Sequence, residues 1–362
     1  MSRSLRLLAI PAVALLALGC PSRSLEVPPP KSEKQETKYY PQSIEKDVDI
    51  LFVIDNSGSM EQEQENLRQQ FPQLIEALKS DKLDGKIPNV HIGVVSSDLG
   101  AGNYGLPSCE VANGDRGELQ NAPRQAGCSA PKDKWISYIE GQTNIPGCTK
   151  DPIECVKDAF GCIATLGTAG CGFEMQLEAA RRAVDPKLKL NPGFIRDGAF
   201  LAIVFITDED DCSARNPQLF DPQQQGLTDP LGPLTSFRCF EFGIQCDVND
   251  RHKVGPRNNC VPAFDWLYKV EDYINFFSDK QIKPSTDRII MAAIAGPSQP
   301  VAVGKDGQTP VLKPSCQTKD GFAVPAIRLK TVVDAFDGQF STICIDDFGP
   351  SLQALGERIV AV

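Results

Sequence analysis

Three polar side chains follow an apolar run at a spacing of two residues. The segment "ILFVIDNSGSM", residues 50–60, places Asp55, Ser57 and Ser59 directly after strand-forming residues. A carboxylate and two hydroxyls are hard oxygen ligands, which Mg²⁺ and Mn²⁺ prefer over soft ligands. The same residues also favour a turn in which Asp55 caps the next helix. The spacing therefore predicts either a metal site or a turn.

Two later segments supply further oxygen donors. A Gly-rich stretch, "LGTAG", carries Thr168, and Thr165 three residues earlier is an alternative. The apolar run "FLAIVFITD" ends in Asp208, for which Asp210 and Asp211 compete. The run "EDD" that follows Thr207 and Asp208 is interpreted as a solvated acidic loop or a second cation site.

Strands alternate with helices from residue 48 onward, which predicts an α/β fold with a doubly wound, mostly parallel sheet. The predicted strands are "DILFVID", "VHIGVVSSD", "FLAIVFITD", "RIIMAAIAG" and "FSTICID". The predicted helices are "EQEQENLRQQFPQLIEALKS", "FEMQLEAARRAV", "AFDWLYKVEDYINFFSD", "VPAIRLKTVVDAF" and "SLQALGERIV". Ligands of such sheets bind outside the carboxyl ends of the strands. We therefore expect the five oxygen donors to share one edge of the sheet.

Long segments interrupt this alternation. Residues 99–160 and 209–262 are rich in Gly, Pro, Asn and Cys, and a smaller insertion spans 297–320. Loops of this length are usually functional or disordered. Since the two larger segments carry many of the cysteines, we expect disulfides to hold them.

At these motifs the chain resembles the von Willebrand factor A (VWA) family. The pattern D-x-S-x-S, then Thr, then Asp is that of the family's metal-ion-dependent adhesion site, and the resemblance covers residues 47–362 apart from the insertions. It implies a Rossmann-like fold and a divalent cation, with Mg²⁺ favoured over Mn²⁺ or Ca²⁺. The chain as a whole is similar to bacterial lipoproteins that carry this domain.

The resemblance also implies a role for each matching residue. Ser57 and Ser59 would contact the cation through their hydroxyls, and Asp55 would act through water. Thr168 and Asp208 would complete or support the set of ligands. A partner protein would then donate an acidic side chain to the open position on the cation.

The N-terminus has the pattern of an export signal. Residues 1–19 contain a short basic region followed by the apolar run "LLAIPAVALLALG". The ending "LALGC" resembles the lipobox of bacterial lipoproteins, which implies a lipid on Cys20; an ordinary cleaved signal is the alternative. Residues 20–46 are polar and Pro-rich, which is typical of a flexible tether. Pro21 is not Asp, which by the usual lipoprotein rule favours the outer membrane, on its periplasmic side or at the cell surface.

Cysteine usage also favours an oxidising compartment. The chain has 13 cysteines, and without Cys20 the remainder would fit up to six disulfides. A zinc–thiolate site is disfavoured because no C-x-x-C pair is present. Proximity along the chain suggests Cys162–Cys171, Cys316–Cys344 and pairing among Cys212, Cys239, Cys246 and Cys260. The disulfide candidates are Cys109, Cys128, Cys148, Cys155, Cys162, Cys171, Cys212, Cys239, Cys246, Cys260, Cys316 and Cys344.

The charge balance and the missing motifs narrow the function. A net charge of −10 and a pI of about 4.9 argue against a nucleic-acid partner. The chain lacks G-x-S-x-G and Walker A motifs. We therefore expect a non-enzymatic, lipid-anchored envelope protein that binds a protein or polymer partner through its cation. One alternative is a structural scaffold whose metal only stabilises the fold; another is a metal-assisted hydrolase with Glu209 or Asp210 as general base.

Overall fold

The computed structural model describes residues 47–79, 85–107, 109, 111–124, 127–319 and 321–361. The predicted signal peptide (1–19), Cys20 and the tether to residue 46 lie outside the described residues. Within the described part of the chain, no helix combines the length and the apolar character needed to cross a membrane.

The strands and helices of the described residues alternate along most of the chain, as predicted. In chain order the strands are β1 (Val48–Ile54), β2 (Val90–Ser96), β3 (Ile136–Ile139), β4 (Gln142–Thr143), β5 (Phe200–Ile206), β6 (Ile244–Gln245), β7 (Gly255–Arg257), β8 (Val261–Pro262), β9 (Ile289–Ala295), β10 (Val301–Asp306), β11 (Thr309–Leu312), β12 (Cys316–Gln317), β13 (Phe322–Ala323) and β14 (Gln339–Thr342). The helices are α1 (Glu61–Ala77), α2 (Pro152–Ala164), α3 (Gln176–Val184), α4 (Phe237–Gly243), α5 (Val270–Phe277), α6 (Ile327–Ala335) and α7 (Gly349–Ala361).

The main sheet has the order β14-β9-β5-β1-β2-β3-β4. The five strands from β14 to β2 are parallel, and β3 and β4 add an antiparallel edge. All seven residues of β1 are buried, because helices cover both faces of the sheet. The predicted α/β fold with a doubly wound, mostly parallel sheet is confirmed.

Alternate residues of β1 point into two separate cores. Ile50, Phe52 and Ile54 belong to the core under α1, α2 and α7, whereas Leu51 and Val53 belong to the core under α3, α5 and α6. This alternation follows from the period of two in a strand. The parallel strands therefore all leave the two cores at the same edge of the sheet.

One predicted helix is shorter than expected. The aromatic segment predicted as a helix from residue 263 is helical only from Val270. The backbone before α5 pairs with other segments instead: the Ala263 N–H donates to the Gly243 carbonyl at 2.8 Å, and the Tyr268 N–H donates to the Ser213 carbonyl at 3.0 Å. These bonds replace the ones that a helix would form. By contrast, α1 continues through Pro72.

The insertions contain more secondary structure than the sequence indicated. The first holds β3, β4 and most of α2, and the second holds α4 and β6–β8. In the third, β10 and β11 form an antiparallel hairpin that β7 extends to three strands. The first insertion therefore extends the main sheet, and the other two form small sheets of their own rather than structureless loops.

Six disulfides link the twelve candidate cysteines. The pairs are Cys109–Cys171, Cys128–Cys162, Cys148–Cys155, Cys212–Cys239, Cys246–Cys260 and Cys316–Cys344. The prediction of Cys316–Cys344 and of pairing among the four cysteines from 212 to 260 is confirmed. The prediction of Cys162–Cys171 is wrong. Cys162 lies on α2, whereas Cys171 is buried in the core on the opposite face of the sheet.

We expect Phe71→Ala to lower the free energy of unfolding by about 3–5 kcal/mol, the usual cost of truncating a buried phenylalanine. The Phe71 ring is fully buried, with its centroid 3.6 Å from that of Phe160 and 6.0 Å from that of Phe52. Urea denaturation of the disulfide-bonded protein measures the change. Gln69→Ala, at an exposed position of the same helix, is the control and should change the value by less than about 0.5 kcal/mol. Equal effects of the two substitutions would contradict the assigned packing.

Candidate functional site

The first part of the site is the turn after β1. Asp55 is fully buried, and its Oδ1 accepts a hydrogen bond from the Ser57 N–H at 2.8 Å. Its Oδ2 accepts one from the Thr207 hydroxyl at 2.8 Å. The Ser57 and Ser59 hydroxyl oxygens lie 3.3 Å apart. The turn and the oxygen cluster predicted as alternatives are therefore one structure, because the turn brings the oxygens together.

The second part is Asp208, which follows β5 on the same edge. The Ser59 hydroxyl donates to its carboxylate, and its own carbonyl accepts a hydrogen bond from the Val324 N–H at 2.9 Å. Asp208 is only 6% exposed, and its Oδ1 has no hydrogen-bond partner among the described residues. Leaving a buried acceptor unsatisfied costs about 1–3 kcal/mol. The atom is thus positioned to accept a ligand that the protein itself does not provide.

A glutamine of α1 holds the Gly-rich loop against this turn. The Gln64 amide donates to the carbonyls of Asp55 and Gly167, both at 2.9 Å, and its Oε1 accepts from the Gly167 N–H at 3.0 Å. The Gly170 N–H donates to the Asn56 carbonyl at 2.8 Å, and a Cβ at Gly170 would overlap the Asn56 amide. Only glycine permits this close approach.

The two threonines of that loop have different surroundings. Thr168 is exposed and directly follows the clamped Gly167. The Thr165 hydroxyl donates to the Gly161 carbonyl at 3.0 Å at the end of α2, and Thr165 lines the same depression as Ser59 and Asp208. The structure therefore places both near the rim, and the choice of Thr168 stays a prediction.

Two further carboxyl groups lie beside the predicted set. Glu174 is 1% exposed, and its side chain shares a hydrogen bond with that of Glu209. The Oε2 of Glu174 has no hydrogen-bond partner in the described part of the chain. The sequence did not predict Glu174 as a site residue, and it suggested Glu209 only as a general base. The position of Glu174 between the Gly-rich loop and α3 could have indicated that it lies at the site. No local pattern of residues predicts that its side chain lies near Asp55.

The other acidic residues after Asp208 are structural. Both oxygens of Asp210 accept hydrogen bonds from backbone N–H groups at the start of α6, at 2.9–3.1 Å. Asp211 forms a fully buried ion pair with Arg328, with Oδ2 3.1 Å from Nε. Its Oδ1 accepts from the Leu177 N–H at 2.9 Å. The expectation of a solvated loop or a second cation site at these two residues is wrong, because tertiary contacts consume their oxygens.

The carboxyl groups of Asp55, Glu174, Asp208 and Glu209 repel one another, because burial places them in an environment of low dielectric constant. Burial, followed by the charges of Asp55 and Glu209, raises the pKa of Asp208 to about 8. Burial, followed by the charge of Asp55, raises the pKa of Glu209 to about 7. The pKa values of Asp55 and Glu174 are raised as well, with burial as the main cause. No lysine or arginine among the described residues forms an ion pair with any of these four carboxyls.

The donor set fits a hard divalent cation that binds partly through hydroxyls. No three His, Cys, Asp or Glu side chains of the described residues form a group able to hold a metal ion. An ion at this edge would therefore depend on Ser57 and Ser59 in addition to Asp208, a combination of neutral and charged oxygens that suits Mg²⁺. A positive charge here would also relieve the repulsion that raises the carboxyl pKa values.

The site opens into a depression of about 890 Å³. Ser59 and Asp208 lie on its floor side, Glu63 and Thr165 flank it, and Phe322 of β13 borders it. A side chain of a partner molecule can therefore reach the serine and aspartate oxygens from solvent.

Comparison with known proteins gives structural neighbours only. Neither the known protein families nor the curated proteins contain a match to this chain. Among solved structures, a von Willebrand factor type A structure from Catenulispora acidiphila has 11% sequence identity and a TM-score of 0.36, and the match covers 87% of this chain and 42% of that one.

Two further neighbours are bacterial proteins. An aerotolerance-related membrane protein from Bacteroides fragilis NCTC 9343, carrying multiple mutations to serines, has 12% identity and a TM-score of 0.32, with 87% of this chain and 100% of that chain covered. The pilus adhesin SpaC from Lactobacillus rhamnosus GG has 12% identity and a TM-score of 0.36, with 87% and 30% covered. The chain therefore spans less than half the length of the first and third of these neighbours.

In EDTA, we expect the free energy of unfolding to fall as the pH rises from about 4 to about 8. The pKa values of Asp208 and Glu209, about 8 and about 7, exceed those of unfolded chains, so the folded protein binds more protons in this range. The stability from these protons is complete below about pH 4 and is lost as the pH passes through the raised pKa values. Urea denaturation at several pH values measures the slope.

Asp208→Asn provides the comparison for this experiment. It removes the group with the higher of the two pKa values while keeping the volume of the side chain, so the slope should become shallower. A profile for the unsubstituted protein that is flat or rises with pH in EDTA would show that the buried carboxyls do not carry this repulsion.

Proposed function

We propose that this chain is an exported, lipid-anchored binding protein that holds a divalent cation, Mg²⁺ in the first place, at the edge of its sheet. Ser57 and Ser59 would bind the cation directly, and Asp55, Thr168 and Asp208 would complete or support the set. A bound divalent cation supplies a Lewis-acidic position for an anionic side chain of a protein or polymer partner. The observation that carries the proposal is the buried Oδ1 of Asp208, which has no hydrogen-bond partner among the described residues and lies beside the Ser59 hydroxyl.

The surrounding residues support this role by fixing the oxygens in advance. Thr207 and the Ser57 N–H occupy both oxygens of Asp55, which holds that carboxylate in one orientation. Gln64 joins the turn after β1 to the Gly-rich loop, so the two move as one unit. Preorganised ligands of this kind lower the cost of ordering the site when a ligand binds.

The proposal includes a location and a class. Six disulfides are typical of proteins in oxidising compartments, which supports export to the cell envelope. The outer membrane, on its periplasmic side or at the cell surface, is the favoured location. The proposed role is binding, and we assign no catalytic residue.

We expect Ser59→Ala to weaken Mg²⁺ binding by at least about tenfold, because the substitution removes a direct ligand. Isothermal titration of the full chain with MgCl₂ measures the affinity. Ser129→Ala, at an exposed serine of the first insertion, is the matched control and should leave the affinity unchanged. Unchanged Mg²⁺ binding in both Ser59→Ala and Asp208→Asn would refute the proposed site.

The structural-scaffold alternative gives a different result. If the cation only stabilised the fold, EDTA would lower the melting temperature while leaving the amount of bound partner unchanged. Under the proposed function, EDTA abolishes partner binding, and added Mg²⁺ restores it.

We also expect Cys20→Ser to move the protein from the membrane fraction to the soluble fraction of the cell envelope. A serine at this position cannot receive the thioether-linked lipid, and the rest of the chain is unchanged. Immunoblots of fractionated cells measure the distribution, with Ser24→Ala, a nearby substitution that keeps every cysteine, as the control. Continued sedimentation of the Cys20→Ser protein with membranes would argue against the lipid anchor.

A further inference from the structure

A second pocket lies next to the depression that contains the proposed cation site. It has a volume of about 190 Å³, and Phe322 lines both the pocket and the depression. Glu209, the residue after Asp208, lines the new pocket. Any molecule that reaches Asp208 therefore has a second binding position next to it.

Most of the pocket wall is apolar. Phe237 and Phe240 of α4 contribute aromatic rings whose centroids are 5.7 Å apart, and Leu312 of β11 lies among the lining residues. Phe322 is 55% exposed, although it belongs to a strand that packs against the sheet edge. The wall suits an unbranched aliphatic chain, which can pack along apolar surface while its polar end stays free to form hydrogen bonds.

The polar part of the pocket carries only negative charge and hydroxyl groups. Glu209 supplies a carboxyl group, Thr235 and Ser236 supply hydroxyls, and no basic residue is found among the described residues that line it. Asp210 also lines the pocket, but its oxygens are already bonded to the start of α6. The Thr235 hydroxyl is buried and has no hydrogen-bond partner in the described part of the chain. A cationic donor at this end would complement the carboxylate charge and satisfy the hydroxyl.

The pocket is held in place relative to the cation site. The Cys212–Cys239 disulfide links the segment after Asp208 to α4, and Cys239 lines the pocket. Asp210 binds the first turn of α6 through three backbone N–H groups. The distance between the two binding positions is therefore set by the fold rather than by flexible loops.

We propose that this pocket binds a lysine side chain of the protein partner whose acidic side chain reaches the neighbouring cation. The aliphatic stem would pack against the phenylalanine rings, and the ammonium group would donate hydrogen bonds to Glu209 and to the Thr235 hydroxyl. The partner segment would carry an acidic side chain and a lysine side chain close together, and this part of the proposal rests on the proposed function. The existence of the pocket does not depend on the proposed function.

Lysine fits this pocket better than arginine. The carboxyl group of Glu209 already hydrogen-bonds with Ser236 and with Glu174. It therefore has no free edge for the two parallel hydrogen bonds that make arginine a strong partner of carboxylates. An ammonium group is a compact charge with three donors and needs only one free acceptor position.

The test uses the full chain with ¹³C-labelled Leu and Val methyl groups and n-butylammonium chloride as a mimic of the lysine side chain. In a titration at constant pH, we expect saturable shifts of the Val311, Leu312 and Val324 methyl signals, because these three residues line the pocket. The neutral 1-butanol should bind at least about tenfold more weakly, because it cannot form a charge-assisted hydrogen bond. The arginine mimic n-butylguanidinium keeps its charge but should also bind at least about tenfold more weakly, because its planar donor fork needs a carboxylate edge and the carboxyl group of Glu209 is already bonded to Ser236 and Glu174. Equal binding of 1-butanol would overturn the proposal.

Two substitutions separate the pocket from the cation site. Glu209→Gln should weaken n-butylammonium binding at least about tenfold, whereas Glu271→Gln, at an exposed position on α5, should not change it. Val311→Lys places an ammonium chain at the pocket wall and should abolish binding of the mimic even if Glu209→Gln fails to fold. Ser59→Ala should leave n-butylammonium binding intact. If the unsubstituted protein binds Mg²⁺ but shows no methyl shifts with n-butylammonium, only the lysine pocket is refuted. If it shows the methyl shifts but does not bind Mg²⁺, only the proposed function is refuted.

Discussion

The burial of β1 on both faces is the constraint on which the rest of the structure depends. Every residue of this strand is buried, and all except Asp49, which is paired with Arg196 and Lys283, belong to one of two cores. From Ile50 to Ile54 the strand is apolar without interruption, and polar side chains follow only where it ends. Asp55 stands at that point, and β5, which pairs with β1 in parallel, ends beside it before Asp208. The packing of the sheet therefore concentrates oxygen donors at one edge without any need for a dedicated loop scaffold.

This concentration has an energetic consequence for the fold. Asp55, Glu174, Asp208 and Glu209 interact repulsively, and no basic side chain of the described residues compensates them. Two other carboxylates of the same loop have partners within the protein. Asp211 is paired with Arg328, and Asp210 caps α6. The uncompensated carboxyls are thus confined to the position where a cation can bind, and the adjacent ones stabilise the framework that holds them. Local destabilisation at a binding site, offset by the surrounding scaffold, is common in proteins.

The insertions determine what surrounds the cation site. Disulfides fix them at defined points: Cys109–Cys171 ties the first insertion to the end of the Gly-rich loop, and Cys212–Cys239 ties the segment after β5 to α4. Cross-links that close long loops restrict the unfolded chain more than short ones do. The rim of the site is therefore built from segments far apart in sequence. Its shape, including the pocket beside Glu209, is determined by the insertions rather than by the central sheet.

The sequence by itself determined the class of fold, the main strands and the positions of Asp55, Ser57, Ser59 and Asp208, because apolar periodicity and strand ends are local properties of the chain. It did not reveal that Glu174 joins these residues, that Gln64 holds a loop at Gly167, 103 residues further along the chain, or that Asp211 is neutralised by Arg328. It also misassigned the partner of Cys171 and the start of α5. Those features were decided by the tertiary structure, since each depends on which face of the sheet a segment packs against and on contacts between residues distant in sequence, which no local pattern of residues encodes.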